Sequence, residues 1–255
     1  MAPRVIPPPG VLPDYKRDAR EAFDCLQAGG VILIPTDFGY GLMSASNDGI
    51  ETAFHAKGRK PGHTLGVIGT FRCFKELCDV PFEKEEMVRV LTQDMDQAIN
   101  TIAPLKKNPP RMAHLTPENL GRVTKNDTVG MNIGESPFLR ELGHLNDEAG
   151  QLMIGSSANI TGTGQKLRIE DLEPQIFGAA DLVVDYGLQR YHRYQRSGTN
   201  IDVMSMKILR IGAGYEIMRE RVKKWFGVTL MEDPEHKTDK VGLSYSIKTA
   251  DGAAY

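Results

Sequence analysis

The 255-residue sequence predicts an α/β fold with a mixed sheet. Short apolar runs of strand length alternate with segments of helical periodicity, and glycine or proline stands at most of the boundaries between them. The alternation of the two patterns is typical of helices packed on a sheet. The length suits one large domain, which we expect over residues 14–230. A proline-rich N-terminal arm over 1–13 should precede it, and a polar C-terminal tail over 231–255 should follow it.

The N-terminal half begins with a predicted helix that starts at Asp14 and is ended by the glycine pair 29–30. The apolar run 31–34 then predicts a buried strand that ends at Pro35. Further helices are predicted over 50–56, 71–78 and 83–95, and further strands over 65–69 and 99–105. Residues 106–127 are rich in Pro, Lys, Asn and Thr, so they predict a long loop.

The C-terminal half continues the alternation. Strands are predicted over 128–133, 152–154, 182–184, 200–203 and 207–210, and helices from Ser136-Pro137 onward, over 169–178 and over 215–226. The strands at 200–203 and 207–210 are close enough in sequence to pair as a hairpin. The Tyr/Arg-rich segment 186–196 predicts a loop, and the tail from 231 onward is expected to be flexible because it lacks periodicity.

Composition narrows the class of protein. The net charge of −2 excludes a polycation, so contact with any nucleic acid, RNA included, would need a local basic patch. Three cysteines without a CxxC pair argue against a disulfide framework and against a zinc site. The sequence contains no apolar run long enough to span a bilayer and no signal-peptide core near its start. We therefore expect a cytoplasmic protein without membrane contact.

Four polar clusters, each beside a predicted strand, are candidates for ligand binding. The first lies over 35–42 and contains Thr36, Tyr40 and glycines that allow close approach of a ligand to the backbone. The same pattern is equally compatible with a tight turn after the strand.

The second cluster is the basic segment over 57–61. If it is extended, Lys57 and Arg59 point to the same side, where a point charge and a planar fork would suit phosphates and carboxylates. The alternative is a solvated basic turn.

The third and fourth clusters combine small polar residues with glycine. Residues 155–162 follow an apolar strand and could aim several donors at one anion, or could simply cap the next helix. In the fourth cluster, residues 197–202 and 208–214, Arg210 precedes glycines that open a helix. This arrangement is suited to binding phosphate. The alternative is a connection between a strand and a helix that binds nothing.

In their order and spacing, the clusters resemble the segments of the YrdC family. Those segments typically read PTDTVYGL, KxRP, TVxVR, TSANxSG, STVVD and ILRPG, and here they read PTDFGYGL, KGRKP, TVGMN, SSANITG, GTNID and ILRIG. The resemblance covers about residues 14–217. The P-loop pattern GxxxxGK[ST] is absent, so a P-loop does not explain nucleotide binding here.

The resemblance implies a YrdC-like twisted mixed sheet, flanked by helices around a positively charged central cavity. It implies an enzyme that consumes ATP, bicarbonate and an amino acid, L-threonine in the family, and releases pyrophosphate. The product, threonylcarbamoyladenylate, would supply a second enzyme complex that modifies tRNA. Mg²⁺ is expected to accompany the triphosphate, and no metal site formed by protein side chains is expected.

The resemblance also assigns residues by matching the family's motifs. The expected catalytic residues are Lys57, Arg59, Ser157 and Asn159. The expected substrate-binding residues are Thr36, Phe38, Tyr40 and His63. The expected nucleotide-binding residues are Lys57, Arg59, Ser156, Ser157, Asn159, Thr199 and Arg210. The implied reaction brings together two anions, so the site must neutralise their charge. It needs no covalent intermediate with the enzyme, so the cysteines are interpreted as structural.

Several positions depart from the family pattern. Phe38 stands where the family usually has a threonine, and Gly39 stands where it has a β-branched residue. His63 takes the place of a frequent lysine, Asn132 that of an arginine, and Gly198 that of a serine. Phe38 removes a hydroxyl and changes the volume of the expected amino-acid pocket, and a polar site rejects ligands that cannot complete its hydrogen bonds.

These departures leave two alternatives to a threonine-specific enzyme. One is a divergent relative that carboxylates and adenylates another amine or amino acid in specialised metabolism. The other is a non-catalytic RNA-binding module, favoured by the basic segments 106–111 and 190–196, in which aromatics interleave with arginines in the second. The sequence does not specify an oligomeric state.

Overall fold

The computed structural model describes residues 2–134 and 136–231 and confirms the mixed α/β fold. Within these residues the sheet contains eleven strands. They are β1 (Arg4–Val5), β2 (Val31–Pro35), β3 (Tyr40–Ser44), β4 (Gly66–Gly69), β5 (Ile99–Pro104), β6 (Thr124–Lys125), β7 (Thr128–Ile133), β8 (Met153–Ser157), β9 (Leu182–Val184), β10 (Asn200–Asp202) and β11 (Lys207–Arg210). The helices of the described residues are α1 (Tyr15–Gln27), α2 (Asn47–Ala56), α3 (Phe71–Leu77), α4 (Phe82–Arg89), α5 (Pro117–Val123), α6 (Pro137–Glu148), α7 (Pro174–Gly178) and α8 (Tyr215–Phe226).

The strands lie in the order β1-β9-β2-β3-β8-β4-β7-β5-β10-β11, and β6 pairs with β7 beside this path. Pairing is mixed, since β2 and β3 run antiparallel whereas β4 and β7 run parallel. The predicted hairpin of β10 and β11 forms. β10 also joins β5 in parallel, so the C-terminal hairpin extends the sheet next to strands from the middle of the chain.

β2 is buried on both faces, which explains its uninterrupted apolar sequence. Ile32 and Ile34 pack with α1 and α6, whereas Val31 and Leu33 pack with α2 and α7 on the opposite face. This half of the sheet is therefore covered by helices on both sides.

β5 and β7, in contrast, alternate strictly between buried and half-buried residues. The buried residues, such as Ile99 and Met131, pack in the core that contains α3, α4 and α8. The half-buried residues face the other way. This second face carries a cavity instead of a helix layer, and it positions the candidate site.

Two sequence predictions between strands are wrong. Residues 106–127 do not form a continuous loop, because α5 begins within them: Thr116 accepts a hydrogen bond from Asn119 N and Pro117 occupies the first helical turn. The helix predicted over 169–178 is split, since Pro174 disfavours a helical conformation for Glu173, whose ψ is 140°. The apolar periodicity missed α5 because its buried side includes the polar Asn119.

Two other segments differ in detail. The helix predicted over 83–95 ends at Arg89 and continues as a single π turn, Val90–Asp94. Within the proline-rich arm, Arg4 and Val5 form β1, which pairs with β9 at the sheet edge. The predicted tail lies outside the described residues from 232 onward. Among the described residues, no helix is both long and apolar enough to cross a bilayer.

Candidate functional site

A cavity of about 220 Å³ lies on the open face of the sheet. Its floor is formed by residues of β4, β7, β5 and β10, and its walls by the turn after β2, by the end of β8 and by β11. Of the residues that the sequence analysis assigned to a site, the structure brings six to this lining: Thr36, Phe38, Arg59, Ser156, Ser157 and Arg210. They come from four separate stretches of sequence, which only the fold brings together.

Arg59 lines the cavity near the end of β8. Its Nη2 donates to Ser156 Oγ at 3.0 Å, its Nη1 donates to the carbonyl of Thr64, and its buried Nε has no partner among the described residues. Burial lowers the pKa of the Arg59 guanidinium. No carboxylate of the described residues pairs with this cation, so its charge is available to a ligand.

Arg210 lines the opposite side of the cavity, at the end of β11. Its Nη2 donates to the carbonyl of Gly198 at 2.9 Å and to Asn200 Oδ1 at 3.1 Å. Burial lowers the pKa of this guanidinium as well. No aspartate or glutamate is among the lining residues of the described chain.

Ser157 and Arg210 also line an adjoining hollow that contains Asn159. Ser157 Oγ donates to Asn159 Oδ1 at 2.6 Å, and Asn159 Nδ2 donates to the carbonyl of Ile160 at 2.6 Å. The serine and the asparagine of the expected signature are thus in direct contact. The strand itself continues through Ser157, so the third cluster begins within β8 and not after it.

Lys57 does not line the cavity. It caps the C-terminus of α2 in a helical conformation, and the segment 57–59 is not extended as predicted. Its side chain is 1% exposed, and its Nζ donates to the carbonyls of Asn159, at 2.7 Å, and Ser157. Lys57 thus acts in this structure as a positioning residue, which fixes the 157–159 loop next to the cavity.

Three other expected site residues also lie elsewhere. Tyr40 is fully buried on the opposite face of β3, where its hydroxyl donates to Asp185 Oδ1 and to the carbonyl of Gly187. His63 lies in an exposed turn and accepts from Lys60 N. Thr199 is buried and accepts from Gly212 N at 3.0 Å. The structure does not bring these three side chains to the cavity.

The turn after β2 requires a glycine at its fourth residue, Gly39. Thr36 Oγ1 donates to the carbonyl of Gly39 at 2.7 Å, and Gly39 has a φ of +150°. A Cβ on Gly39 would lie 2.1 Å from Gln165 Nε2. The replacement of a β-branched residue by glycine is therefore a requirement of the local packing.

Phe38 and Gly198 fit each other across the cavity wall. Phe38 is 4% exposed, and its ring stacks on Tyr191 with centroids 5.7 Å apart. A Cβ on Gly198 would lie 2.4 Å from Phe38 Cε2, too close for any side chain to fit without a shift. Two departures from the family pattern, 160 positions apart, thus compensate for each other.

The basic segments proposed for RNA contact are only partly accessible. Arg111 is 6% exposed and pairs with Asp147 at 2.9 Å, so its charge is internally compensated. Tyr191 packs on Phe38, and Tyr194 packs edge-on against Tyr191. Both tyrosine rings are half-buried, so only part of each is accessible for stacking on a base.

The sequence motifs did not single out Asn100 on the cavity floor, and they included Asn200 only as a member of the fourth cluster. Asn100 and Asn200 line the cavity, as does Asn132, which had been recognised only as a departure from the family. Polar residues at alternate positions of predicted strands were the available signal, because a wholly buried strand would carry apolar residues there. Gln165 also lines the cavity, from a loop that has no distinctive pattern.

Lys57 provides a prediction on stability. Burial, followed by the charge of Arg59, lowers the pKa of Lys57 to about 7. The unfolded chain then binds more protons than the folded chain between pH 7 and the ordinary lysine value, so the contribution of Lys57 to stability rises with pH in that window. Lys57→Met leaves the buried carbonyl of Asn159 without a donor and removes one of the two donors to the carbonyl of Ser157, which keeps the hydrogen bond from Asn159 N. We expect it to lower the free energy of unfolding by about 2 kcal/mol at pH 9.

The loss caused by Lys57→Met should be smaller at pH 6 than at pH 9, with a slope of at most about 1.4 kcal/mol per pH unit. Urea unfolding at several pH values measures it. Lys60→Met is the matched control, because Lys60 is exposed in the next turn and should have little effect. A loss that is the same at every pH would contradict the proposed titration of Lys57.

A family model for Sua5, YciO and YrdC proteins, described as telomere recombination, matches residues 24–212. No curated protein matches the chain. Solved structures, however, resemble it closely in fold. A hypothetical protein from Streptococcus mutans is 19% identical, with a TM-score of 0.71 and coverage of 92% of this chain and 100% of that one.

Two further structures carry family names. P. abyssi Sua5 complexed with L-threonine is 18% identical with a TM-score of 0.67, and the match covers 91% of this chain and 62% of Sua5. E. coli YciO is 19% identical with a TM-score of 0.59, and the match covers 84% and 96% of the two chains. The chain thus spans less than two thirds of the length of Sua5, and at these identities the likeness establishes the fold.

Proposed function

Because the chain belongs to the Sua5/YciO/YrdC family, we propose that it is an ATP-dependent nucleotidyltransferase that converts an amino acid and bicarbonate into a carbamoyl-adenylate. L-threonine is the leading substrate, and threonylcarbamoyladenylate for tRNA modification is the corresponding product. The observation that supports this most directly is the cavity lined by Arg59, Arg210, Ser156 and Ser157, in which the guanidinium groups have no carboxylate partner among the described residues.

The reaction explains why unpaired cations are needed. The amine first adds to bicarbonate-derived carbon dioxide and loses a proton, which gives an N-carboxylate. One oxygen of this carboxylate attacks the α-phosphorus of ATP, a new O–P bond forms, and the bond to pyrophosphate breaks. Both reactants are anions, so their approach is opposed by charge repulsion that Arg59 and Arg210 offset.

The lining residues contribute orientation as well as charge. Ser156 and Ser157 offer hydroxyl groups at the end of β8, and the hydrogen bonds from Lys57 fix the backbone beside them. No group of three or more His, Cys, Asp or Glu side chains suited to a metal lies within the described residues. We therefore propose that Mg²⁺ enters with the triphosphate and is held mainly by phosphate oxygens and water.

The test is pyrophosphate release from ATP, bicarbonate and a panel of amino acids. The proposed function predicts release that requires both bicarbonate and an amine, with a carbamoyl-adenylate detected by mass spectrometry. Omission of bicarbonate or of the amine is the internal control. Failure of every amine to give bicarbonate-dependent release would falsify the proposed function.

A second candidate is the same reaction on a different amine. The observation that favours it is Phe38, whose ring occupies the wall beside Thr36 where the family usually has a hydroxyl. The same panel distinguishes the two candidates. If threonine gives the highest kcat/KM, the second candidate is excluded, and if another amine exceeds it, threonine is not the natural substrate.

A further inference from the structure

Three asparagines form a continuous row across the cavity floor. The register pairs Asn132 of β7 with Asn100 of β5, and Asn100 with Asn200 of β10. Residues directly opposite each other on neighbouring strands project to the same face. All three line the cavity, although they are far apart in sequence. We refer to Asn132, Asn100 and Asn200 as the asparagine row.

The hydrogen bonds within the row leave part of its capacity unused. Asn132 Nδ2 donates to Asn100 Oδ1 at 2.5 Å, and Asn200 Oδ1 accepts from Arg210 Nη2 at 3.1 Å. Asn132 Oδ1 is buried and has no partner among the described residues. The Nδ2 groups of Asn100 and Asn200 donate to no group within the described part of the chain. A buried acceptor without a partner is rare in folded proteins.

The row offers both a donor and an acceptor, but no net charge. A carboxamide cannot ionise, so the row does not offset the charge of an anion as the arginine of the family motif would. A ligand group that only accepts or only donates would leave part of the row unpaired, and an apolar group would leave all of it unpaired. A hydroxyl or a primary carboxamide can do both.

Phe38 limits which part of a ligand can reach the row. A Cβ on Gly198 would lie 2.4 Å from both Phe38 Cε2 and Asn100 Nδ2, so the ring and the amide meet over the same glycine. The stacked ring of Tyr191 fixes Phe38 in this position. The row is thus approached beside an aromatic wall, and a short, uncharged group fits there better than a hydrated ion.

We propose that the asparagine row is a specificity subsite for an uncharged hydroxyl or carboxamide group on the side chain of the amine substrate. This inference rests on the proposed function, since it assigns the substrate class of the same cavity. It places recognition of the side chain on the floor of the sheet, on residues of β7, β5 and β10, and leaves Arg59 and Arg210 for the phosphates and carboxylates.

Equilibrium binding of paired amino acids tests the inference without requiring turnover. Threonine is compared with valine, and asparagine with leucine, because each pair has nearly the same shape and differs in hydrogen bonding. We expect the wild-type protein to bind the polar member of at least one pair at least about tenfold more tightly. The pair that shows the preference distinguishes a hydroxyl from a carboxamide as the recognised group.

Asn132→Leu and Asn100→Leu should each reduce that preference to about threefold or less, because the row can no longer complete the hydrogen bonds of the ligand. Asn132→Asp provides a second variant of the same size, in case a leucine disturbs folding. It should weaken binding of the polar member, because the carboxylate cannot donate to Asn100 Oδ1 and so breaks the hydrogen bond that holds the row together. Melting temperatures establish that each variant is folded.

The inference is overturned if the wild-type protein does not prefer the polar member of either pair, or if its preference is unchanged in all three variants. Pyrophosphate release is measured in parallel and decides the proposed function separately. If the preference depends on the row but no amine supports release, the subsite stands and the proposed function fails. If pyrophosphate release occurs and the binding preference does not depend on the row, the proposed function stands and the subsite fails.

Discussion

Replacement of Arg59 with methionine is expected to lower kcat/KM for pyrophosphate release by about 10²–10³-fold. The reason is the loss of a positive charge beside the cavity that has no carboxylate partner within residues 2–134 and 136–231. An N-carboxylate and a triphosphate would then have to approach each other with one fewer cation between them. Methionine preserves most of the length and the packing of the side chain.

The same variant should not be less stable than the wild-type protein. Burial lowers the pKa of Arg59, which means that the folded state is penalised for keeping this group charged. Removal of the charge relieves that penalty, and the hydrogen bonds lost to Ser156 and Thr64 offset part of the gain. We therefore expect a melting temperature that is unchanged or slightly higher, which is typical of a residue retained for function.

Arg20→Met is the matched control for this experiment. Arg20 is exposed on α1, which contributes no residue to the cavity lining, so its replacement should change neither kcat/KM nor the melting temperature appreciably. A parallel fall in activity and stability for Arg59→Met would identify Arg59 as a structural residue and remove it from the proposed mechanism.

Gly198→Ser is expected to destabilise the protein by about 1–3 kcal/mol, because the new Cβ and hydroxyl overlap with the ring of Phe38 and with Asn100 Nδ2. Phe38→Thr alone should cost about 3 kcal/mol or more, since it empties a nearly filled volume. The double variant restores the residues that the family has at both positions. The double variant should lose less free energy of unfolding than the sum of the losses in the two single variants, by about 1–2 kcal/mol.

Urea unfolding of the wild type, the two single variants and the double variant measures this coupling. Gly121→Ser controls for the substitution itself, because a Cβ at Gly121 meets no other atom within 4 Å. Additive effects, within about 0.5 kcal/mol, would show that Phe38 and Gly198 do not depend on each other. The double variant also reports on substrate choice: an increase in kcat/KM for threonine would identify the aromatic wall as the reason for any discrimination against it.

Local patterns were sufficient for most of the fold. The run at 31–34 predicted β2 because a strand buried on both faces needs apolar residues at every position. Ser136 and Pro137 predicted the start of α6 because capping depends on adjacent residues alone. The α5 helix was missed because its buried side includes Asn119, whose amide bonds to the backbone of Asn47.

The candidate site was predictable in part. The motifs led to Arg59, Ser156, Ser157 and Arg210, which the structure brings to one cavity. The motifs did not predict that the side chains of Lys57 and Tyr40 point away from the cavity. Lys57 stays helical at the end of α2, and Tyr40 faces away from the cavity because successive residues of a strand point to opposite sides.

From its residues alone, the chain specified an α/β fold, the family motifs and the charged groups available for two anions, because each of these is written in neighbouring residues. The asparagine row and the fit between Phe38 and Gly198 emerged only from the folded sheet. Strand register and close packing bring together residues far apart in the chain, and no local pattern of hydrophobicity or turns encodes which of them will meet.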